Sequence, residues 1–432
     1  MLRVEMLCTG DEVLHGQILD TNAAWLANYL FEQGLPMSAR MTVGDNLSAL
    51  VAALTERSLR ADVMIVNGGL GPTSDDLSAL AAATAAGEEL IEHPEWLAKI
   101  EAFFAERGRV MAPSNRKQAQ IPANAEMIDN PVGTACGFAL QLNRCLMFFT
   151  PGVPSEFKVM VEQQIVPRLR ERFDLPDPPL CLRLTTFGRA ESELASQLDD
   201  MTLPEDVVLG YRSSMPIIEL KLTGPAHERE AMELAWQKVR AVAGESAIFE
   251  GTDDLPTQLA QRLLQRPLTL AIGERFTAGL LTWQCQSAGM PVAGGEWLDA
   301  PGARPELNPS AGSADGGAFP AHPFAADTAT ADGGPSVLRQ LARQAQGLAA
   351  RHGAGLALVV GNMDQDTLSL ALHTPDGDYA QTLVFAVSIQ RHGLKTRQEM
   401  VSLMALNMLR RWLNGWPVYG EHGWIRVAAT LA

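Results

Sequence analysis

The chain has 432 residues, 47% of them hydrophobic, and a formal net charge of −16. That length exceeds one ordinary domain and predicts two or three, with enough apolar content for packed cores. The acidic balance and the lack of a strong basic run exclude a non-specific nucleic-acid binder or an anionic-membrane binder, though not a local site for a small phosphorylated ligand.

The segment 1–172 alternates strand and helix patterns, which predicts an α/β domain with a doubly wound parallel sheet and helices on both faces. Strand signatures fall at Val4–Cys8, Met37–Val43, Val63–Asn67, Met127–Ile128, Cys136–Leu142 and Cys145–Thr150. Helical spacing runs from about Thr21 to Gln33, with Trp25, Leu26, Tyr29 and Leu30 on one stripe and Gly34 as the stop. Further helices are expected at Leu47–Ser58, at Leu77–Thr84, near Pro94–Arg107, and after Pro154, the last ending near Pro167.

The first strand runs into Thr9-Gly10-Asp11-Glu12-Val13-Leu14-His15-Gly16 and then Asp20-Thr21-Asn22. One explanation is a glycine turn followed by a helix capped by Asp20, Thr21 or Asn22. The other is chemical: Asp11, with Glu12, faces the ligand crevice. His15 is either an exposed turn residue or an acid–base group.

The strand Val63–Val66 enters Asn67-Gly68-Gly69-Leu70-Gly71-Pro72-Thr73-Ser74-Asp75-Asp76. Open α/β sheets bind ligands outside the carboxyl ends of their strands. Glycine admits a phosphate close to the backbone, and a helix N-terminus offers it N–H groups. Asp75 and Asp76 repel a bare phosphate, and a divalent cation removes that conflict. Strands one and three of such a sheet are often neighbours, so Asp11, Glu12, Asp75 and Asp76 are expected to line one crevice around Mg²⁺.

A third turn, Thr150-Pro151-Gly152-Val153-Pro154-Ser155-Glu156, follows another apolar strand and is expected to complete the rim. Between the second and third turns lie Ser114-Asn115-Arg116-Lys117-Gln118 and Asn130-Pro131-Val132-Gly133-Thr134. Arg116 or Lys117 could meet a phosphate, although adjacent surface cations are more often simply solvated.

Pro176-Asp177-Pro178-Pro179 marks a stiff linker. Residues 180–250 then read as a small β-α-β-β-α-β domain, with strands Cys181–Phe187, Val207–Arg212, Ile217–Thr223 and Ala247–Phe249 and helices Ala190–Leu198 and Glu228–Ala243. Residues 255–432 form a third, α/β domain. It starts with a helix near Pro256 and a strand at Leu268–Ile272. Pro301–Pro335 is rich in Ala, Gly, Pro, Asp and Ser and is expected to be a disordered insertion. The helix Val337–Arg351, the strands Leu356–Val360, Leu368–Leu372 and Thr382–Val387, and a helix from about Thr396 to Leu413 follow. On that last helix, Val401, Met404, Ala405, Met408 and Leu409 serve either the core, the preferred assignment, or a partner.

The five cysteines, Cys8, Cys136, Cys145, Cys181 and Cys285, are odd in number and widely spaced. They suggest reduced, mostly buried thiols. No signal-length apolar core or membrane-spanning run occurs, so a cytoplasmic protein is expected.

Together, Gly10-Asp11-Glu12-Val13-Leu14 with Asp20-Thr21-Asn22, the turn Gly68–Asp76 and the turn Pro151–Glu156 resemble the competence-damage-inducible (CinA) family. The resemblance extends over essentially the whole chain and is nearest the family's enterobacterial CinA-like branch. It implies an N-terminal molybdopterin-binding-like fold and a metal-dependent ADP-ribose pyrophosphatase using Mg, Mn or Co. By that analogy Asp11, Asp75 and Asp76 are the catalytic and metal residues. Gly10, Glu12, Gly16, Asn22, Gly68, Gly69, Gly71, Thr73, Ser74, Asn115, Lys117, Pro151 and Gly152 would bind a small phosphorylated, nucleotide-like substrate. The implied partners are that substrate and a second copy in a homodimer, without nucleic acid or membrane. Non-catalytic binding of a pterin or nucleotide phosphate is the alternative.

The family's C-terminal domain is a nicotinamide mononucleotide (NMN) amidohydrolase whose nucleophile lies in a Glu-Ser-Cys-Thr-Gly-Gly motif. The matching stretch here is Glu274-Arg275-Phe276-Thr277-Ala278-Gly279. Arg275 stands where the serine is expected and cannot attack an amide. The later glycine-rich turn reads Gly361-Asn362-Met363-Asp364, and Gly294-Gly295-Glu296-Trp297-Leu298 replaces a tyrosine- and lysine-bearing segment. These departures predict lost deamidase chemistry. Residual activity would rest on Thr277.

Overall fold

A computed structural model of the chain describes residues 2–298, 335–386, 389, 391–420, 422–423 and 425–431. The expected insertion at 301–335, apart from Pro335, and Val387 of an expected strand lie outside the described residues. The chain divides into two compact units: residues 1–180 with 224–227, and residues 181–223 with 228–432.

The first unit contains β1 (Val4–Thr9), β2 (Met37–Val43), β3 (Val63–Asn67), β4 (Leu90–Glu92), β5 (Gln120–Pro122), β6 (Glu126–Ile128), β7 (Gly137–Leu142) and β8 (Cys145–Thr150). Six of them form one sheet in the order β2-β1-β3-β8-β7-β6. Side chains alternate between its faces: Met64 and Val66 enter one core, Val63 and Ile65 the other. Both faces are buried, which is why these strands read as nearly continuous apolar runs.

After the short α1 (Asp11–Leu14), one face is covered by α2 (Thr21–Glu32), α6 (Pro154–Met160) and α7 (Val166–Arg172), through Leu26, Leu30, Phe157 and Leu169. The other is covered by α3 (Leu47–Ser58), α4 (Ser78–Ala86) and α5 (Pro94–Glu106), through Leu50, Ala81, Trp96 and Ile100. The doubly wound layering is therefore as expected, but the sheet is not wholly parallel. β1, β2, β3 and β8 are parallel, whereas β7 and β6 add antiparallel at one edge. Only Asn143-Arg144 links β7 to β8, with Asn143 at φ 50°. Two residues can turn a hairpin and cannot make a crossover.

Pro167 does not end its helix. A π-turn at Val161–Ile165 precedes it and α7 continues to Arg172. The missing proline N–H breaks the regular ladder, and the widened turn absorbs the break.

In the second unit, β9 (Leu180–Phe187), α8 (Glu191–Leu198), β10 (Val208–Ser214), β11 (Ile217–Gly224), α9 (Arg229–Ala243) and β12 (Ala247–Glu250) follow the expected order. Their sheet runs β10-β11-β9-β12. The remaining elements are α10 (Leu255–Leu264), β13 (Leu270–Glu274), α11 (Leu280–Ser287), β14 (Val292–Trp297), α12 (Pro335–His352), β15 (Leu356–Asp364), β16 (Thr367–Thr374), β17 (Gly377–Phe385), α13 (Leu394–Leu413) and β18 (Ile425–Thr430).

This second sheet runs β14-β13-β15-β16-β17-β18. Leu356, Leu358 and Val360 of β15 enter one core with α10, α11 and α13, while Ala357 and Val359 meet α12. Val401, Met404, Ala405, Met408 and Leu409 all lie in the first of these cores, which settles that stripe as packing. β14 escaped sequence reading because two glycines sit mid-strand, where they are usually disfavoured.

Candidate functional site

Register builds the site. Cys8 of β1 pairs with Asn67 of β3, and Asn67 pairs with Thr150 of β8. The three strands therefore end level, and the three glycine-bearing turns leave from one rim. Between them lies a pocket of about 590 Å³.

In the first turn, Gly10 and Glu12 line the pocket, as do Asp20 and Asn22. Asp20 caps α2 by accepting the Ala23 N–H at 2.8 Å. Asp11 is not among the lining residues. Its carboxylate accepts the Asp45 N–H at 3.2 Å, and Asp45 accepts the Asp11 N–H at 3.0 Å. The pair closes the turn against the end of β2, so it is Asp45 that reaches the pocket. His15 ends the four-residue helix Asp11–Leu14 and is exposed, and Gly16 is a left-handed turn residue at φ 70°; neither lines the pocket.

In the second turn, Gly68, Gly69, Gly71, Asp75 and Asp76 line the pocket. Gly68 has φ 104°, and a Cβ there would stand 2.9 Å from the Thr9 carbonyl oxygen. No other residue fits this turn without strain. Thr73 and Ser74 sit outside the pocket; Ser74 lines a smaller cavity of about 210 Å³ that shares Gly69, Gly71 and Asp76 with it. The Thr73 hydroxyl holds the Asp75 carboxyl below the usual carboxylate range.

In the third turn, Pro151, Gly152 and Glu156 line the pocket. Glu156 accepts the Asn130 side-chain N–H at 2.7 Å. Asn115 also lines it and donates to Gln118 at 3.1 Å. Lys117 donates to the Thr73 carbonyl and faces the smaller cavity. Arg116 forms a two-pronged pair with Glu92, at 3.0 and 2.6 Å. Neither cation enters the main pocket.

The pocket's charge is one-sided. Glu12, Asp20, Asp45, Asp75, Asp76 and Glu156 line it, and none of its lining residues is Lys, Arg or His. Among the described residues no group of three or more His, Cys, Asp or Glu side chains is arranged to hold a metal ion. Asp45 is a pocket residue that the motif reading missed, whereas Asn67, Gln118 and Glu156 lay within its motifs without an assigned role. Gly44-Asp45, at the carboxyl end of β2 beside β1, was the available signal for Asp45.

The C-terminal motif forms a closed turn. Glu274 ends β13 and is 3% exposed. Its carboxylate accepts the Thr277 hydroxyl at 2.6 Å, the Leu281 N–H at 3.2 Å, and the Thr282 N–H and hydroxyl at 3.1 and 2.5 Å. Thr277 is 1% exposed. Phe276 packs against the core, and Gln398 donates to its carbonyl at 2.9 Å. Ala278 is left-handed at φ 54° and Gly279 at φ 89°. The Glu274 carboxylate and the Thr277 hydroxyl are thus spent on bonds within the turn and the start of α11.

Residues 5–171 match the family model described as "Probable molybdopterin binding domain". Over 434 aligned positions the chain is 58% identical to a CinA-like protein of Escherichia coli strain ATCC 8739, covering 100% of this chain and 99% of the relative. Identity and coverage are the same for the NMN amidohydrolase-like protein YfaY of Escherichia coli K12. Among solved structures, the protein CinA of Thermoplasma acidophilum is 29% identical, with a TM-score of 0.35, over 39% of this chain and 96% of that one.

Proposed function

Given that the chain belongs to the CinA family, with CinA-like relatives matched along its full length, we propose that the N-terminal pocket binds a nucleotide-sugar pyrophosphate of the ADP-ribose type and hydrolyses it. The observation that carries this is the pairing of glycine turns with a lining whose charged side chains are all acidic. Backbone N–H groups at such turns suit phosphate oxygens. The carboxylates would expel the same oxygens unless a cation accompanies them.

The donor set fits a hard cation, Mg²⁺, Mn²⁺ or Co²⁺, in a limited way. Carboxylate oxygens are the right chemistry, but among the described residues no three gather. Mg²⁺ commonly takes one or two carboxylates and completes its shell with phosphate and water. Asp75 and Asp76, adjacent on the second turn, are the residues that would hold it. When bound, such an ion offsets phosphate charge and acidifies a water molecule. Asp11 acts one step back, by holding Asp45 at the pocket edge.

The C-terminal turn, in this reading, no longer deamidates NMN. Arg275 and Phe276 carry no nucleophile, and the Thr277 hydroxyl is buried and donated to Glu274. A second reading, binding of a pterin phosphate without turnover, draws on the match of residues 5–171 to a molybdopterin-binding model.

Equilibrium dialysis of ADP-ribose against the full chain tests the proposal. Binding should require Mg²⁺ and vanish with EDTA. Equal retention with and without the cation would remove the argument from charge. Tight binding with no AMP formed would favour the second reading.

A further inference from the structure

Asn22 is the second residue of α2, lines the pocket, and is 6% exposed. Its Nδ2 donates to the Asn67 Oδ1 at 3.0 Å and to the Gly152 carbonyl at 2.8 Å. Asn67 in turn donates from Nδ2 to the Pro151 carbonyl at 2.7 Å and to the Thr150 hydroxyl at 3.3 Å.

Backbone carbonyls accept and never donate, so this chain fixes both amides. Flipping Asn67 would set oxygen against the Pro151 carbonyl. Flipping Asn22 would set oxygen against two acceptors. The atom left over is Asn22 Oδ1, and it is buried without a partner.

Nearly every buried polar atom in a native protein has a hydrogen-bond partner. An orphan acceptor on a ligand pocket therefore marks a place for a donor. The lining carries carboxylates such as Asp20, Asp75 and Asp76 and no cationic side chain. Phosphate oxygens are acceptors and gain nothing beside Oδ1. Sugar hydroxyls are donors, and side-chain acceptors at α/β rims commonly read ribose diols. The oxygen is shielded from solvent, so bulk water competes poorly for it.

We propose that Asn22 selects the sugar end of the ligand: its Oδ1 accepts a hydrogen bond from a hydroxyl of the terminal ribose, the one beyond the second phosphate of the bound pyrophosphate. This rests on the nucleotide-sugar function proposed above and assigns one ligand group to one atom. Ligand entry displaces no existing partner of that atom, but it must part the turns enough to uncover it, because the oxygen is buried.

The test is calorimetric titration of the full chain, with Mg²⁺, against ADP-ribose whose bridging phosphate oxygen is replaced by a methylene so that it is not hydrolysed. The reference ligand is the same analogue of ADP, which ends at the second phosphate. Wild type should prefer ADP-ribose by about tenfold, and Asn22→Ala, which also cuts the Nδ2 ties, should weaken both ligands but erase that preference. Asn67→Ala loosens the same turns but keeps the Asn22 oxygen, and should weaken both ligands alike. An equal loss of both ligands in Asn22→Ala would overturn the assignment and leave Asn22 as a tie between turns. Failure of wild type to bind either nucleotide would instead overturn the nucleotide-sugar function itself.

Discussion

Asp76 Oδ2 accepts both the Thr73 N–H, at 2.8 Å, and the Thr73 hydroxyl, at 2.5 Å. One carboxylate thus shapes the glycine turn and lines the pocket. The two duties separate by mutation. Thr73→Val removes one hydrogen bond and keeps the carboxylate, so it should cost about 1 kcal/mol of stability and little turnover. Asp76→Ala removes both bonds and the charge, and AMP release should fall about a hundredfold. Equal losses of turnover in the two variants would show that Asp76 is structural only.

Ala278 occupies a left-handed conformation at φ 54° in the turn after β13. A Cβ in that region is strained and glycine is not. Ala278→Gly should stabilise the second unit by about 1 kcal/mol, visible as a higher urea midpoint. An unchanged or lower midpoint would mean that the surrounding bonds already relax the turn.

Glu274 receives four hydrogen bonds in a site that is 3% exposed. Glu274→Gln keeps the shape but turns one acceptor into a donor facing donors. The expected cost is about 2 kcal/mol, read by urea unfolding. AMP release from ADP-ribose should be unaffected, because the N-terminal pocket lies in the other unit. A parallel loss of turnover would contradict that assignment.

His422 gives the second unit a pH dependence. Burial pushes its pKa down from 6.5 to about 4, and the neighbouring Arg411 and Arg410 add to the shift. Its Nδ1 is buried without a partner, near Phe187 and Gly188. The folded state therefore holds it neutral, while the unfolded chain binds a proton below about pH 6.5. Stability should be flat above that pH and fall as the pH drops towards about 4, by roughly 3 kcal/mol in all. His422→Gln should flatten that part of the profile, measured as urea midpoints between pH 7.5 and 4. A slope that survives the substitution would place the titrating group elsewhere.

Much of this architecture is legible in the sequence. Val63–Asn67 announces a buried strand, and the glycines after it announce a turn, because strand burial and left-handed backbone both restrict residue type. The antiparallel β7–β8 pair departs from the parallel sheet expected, although the two residues between those strands allow nothing else. Asp45 was harder, since its partner Asp11 lies 34 positions away and only the pairing of β1 with β2 joins them. The orphan oxygen of Asn22 depends on Asn67, Pro151 and Gly152 at once. A hydrogen-bond chain through three separate turns leaves no local pattern to read. The altered motif at Arg275-Phe276 was visible, but the closure of its turn around Glu274 needed the bond geometry.

The most direct measurement is AMP release from ADP-ribose by the full-length chain with Mg²⁺, Mn²⁺ or Co²⁺, with ammonia release from NMN followed in a parallel sample. The account predicts cation-dependent AMP, lost in Asp76→Ala, and no ammonia. Ammonia from NMN would contradict the closed reading of the Glu274–Gly279 turn, and the absence of AMP with every cation would contradict hydrolysis at the N-terminal pocket.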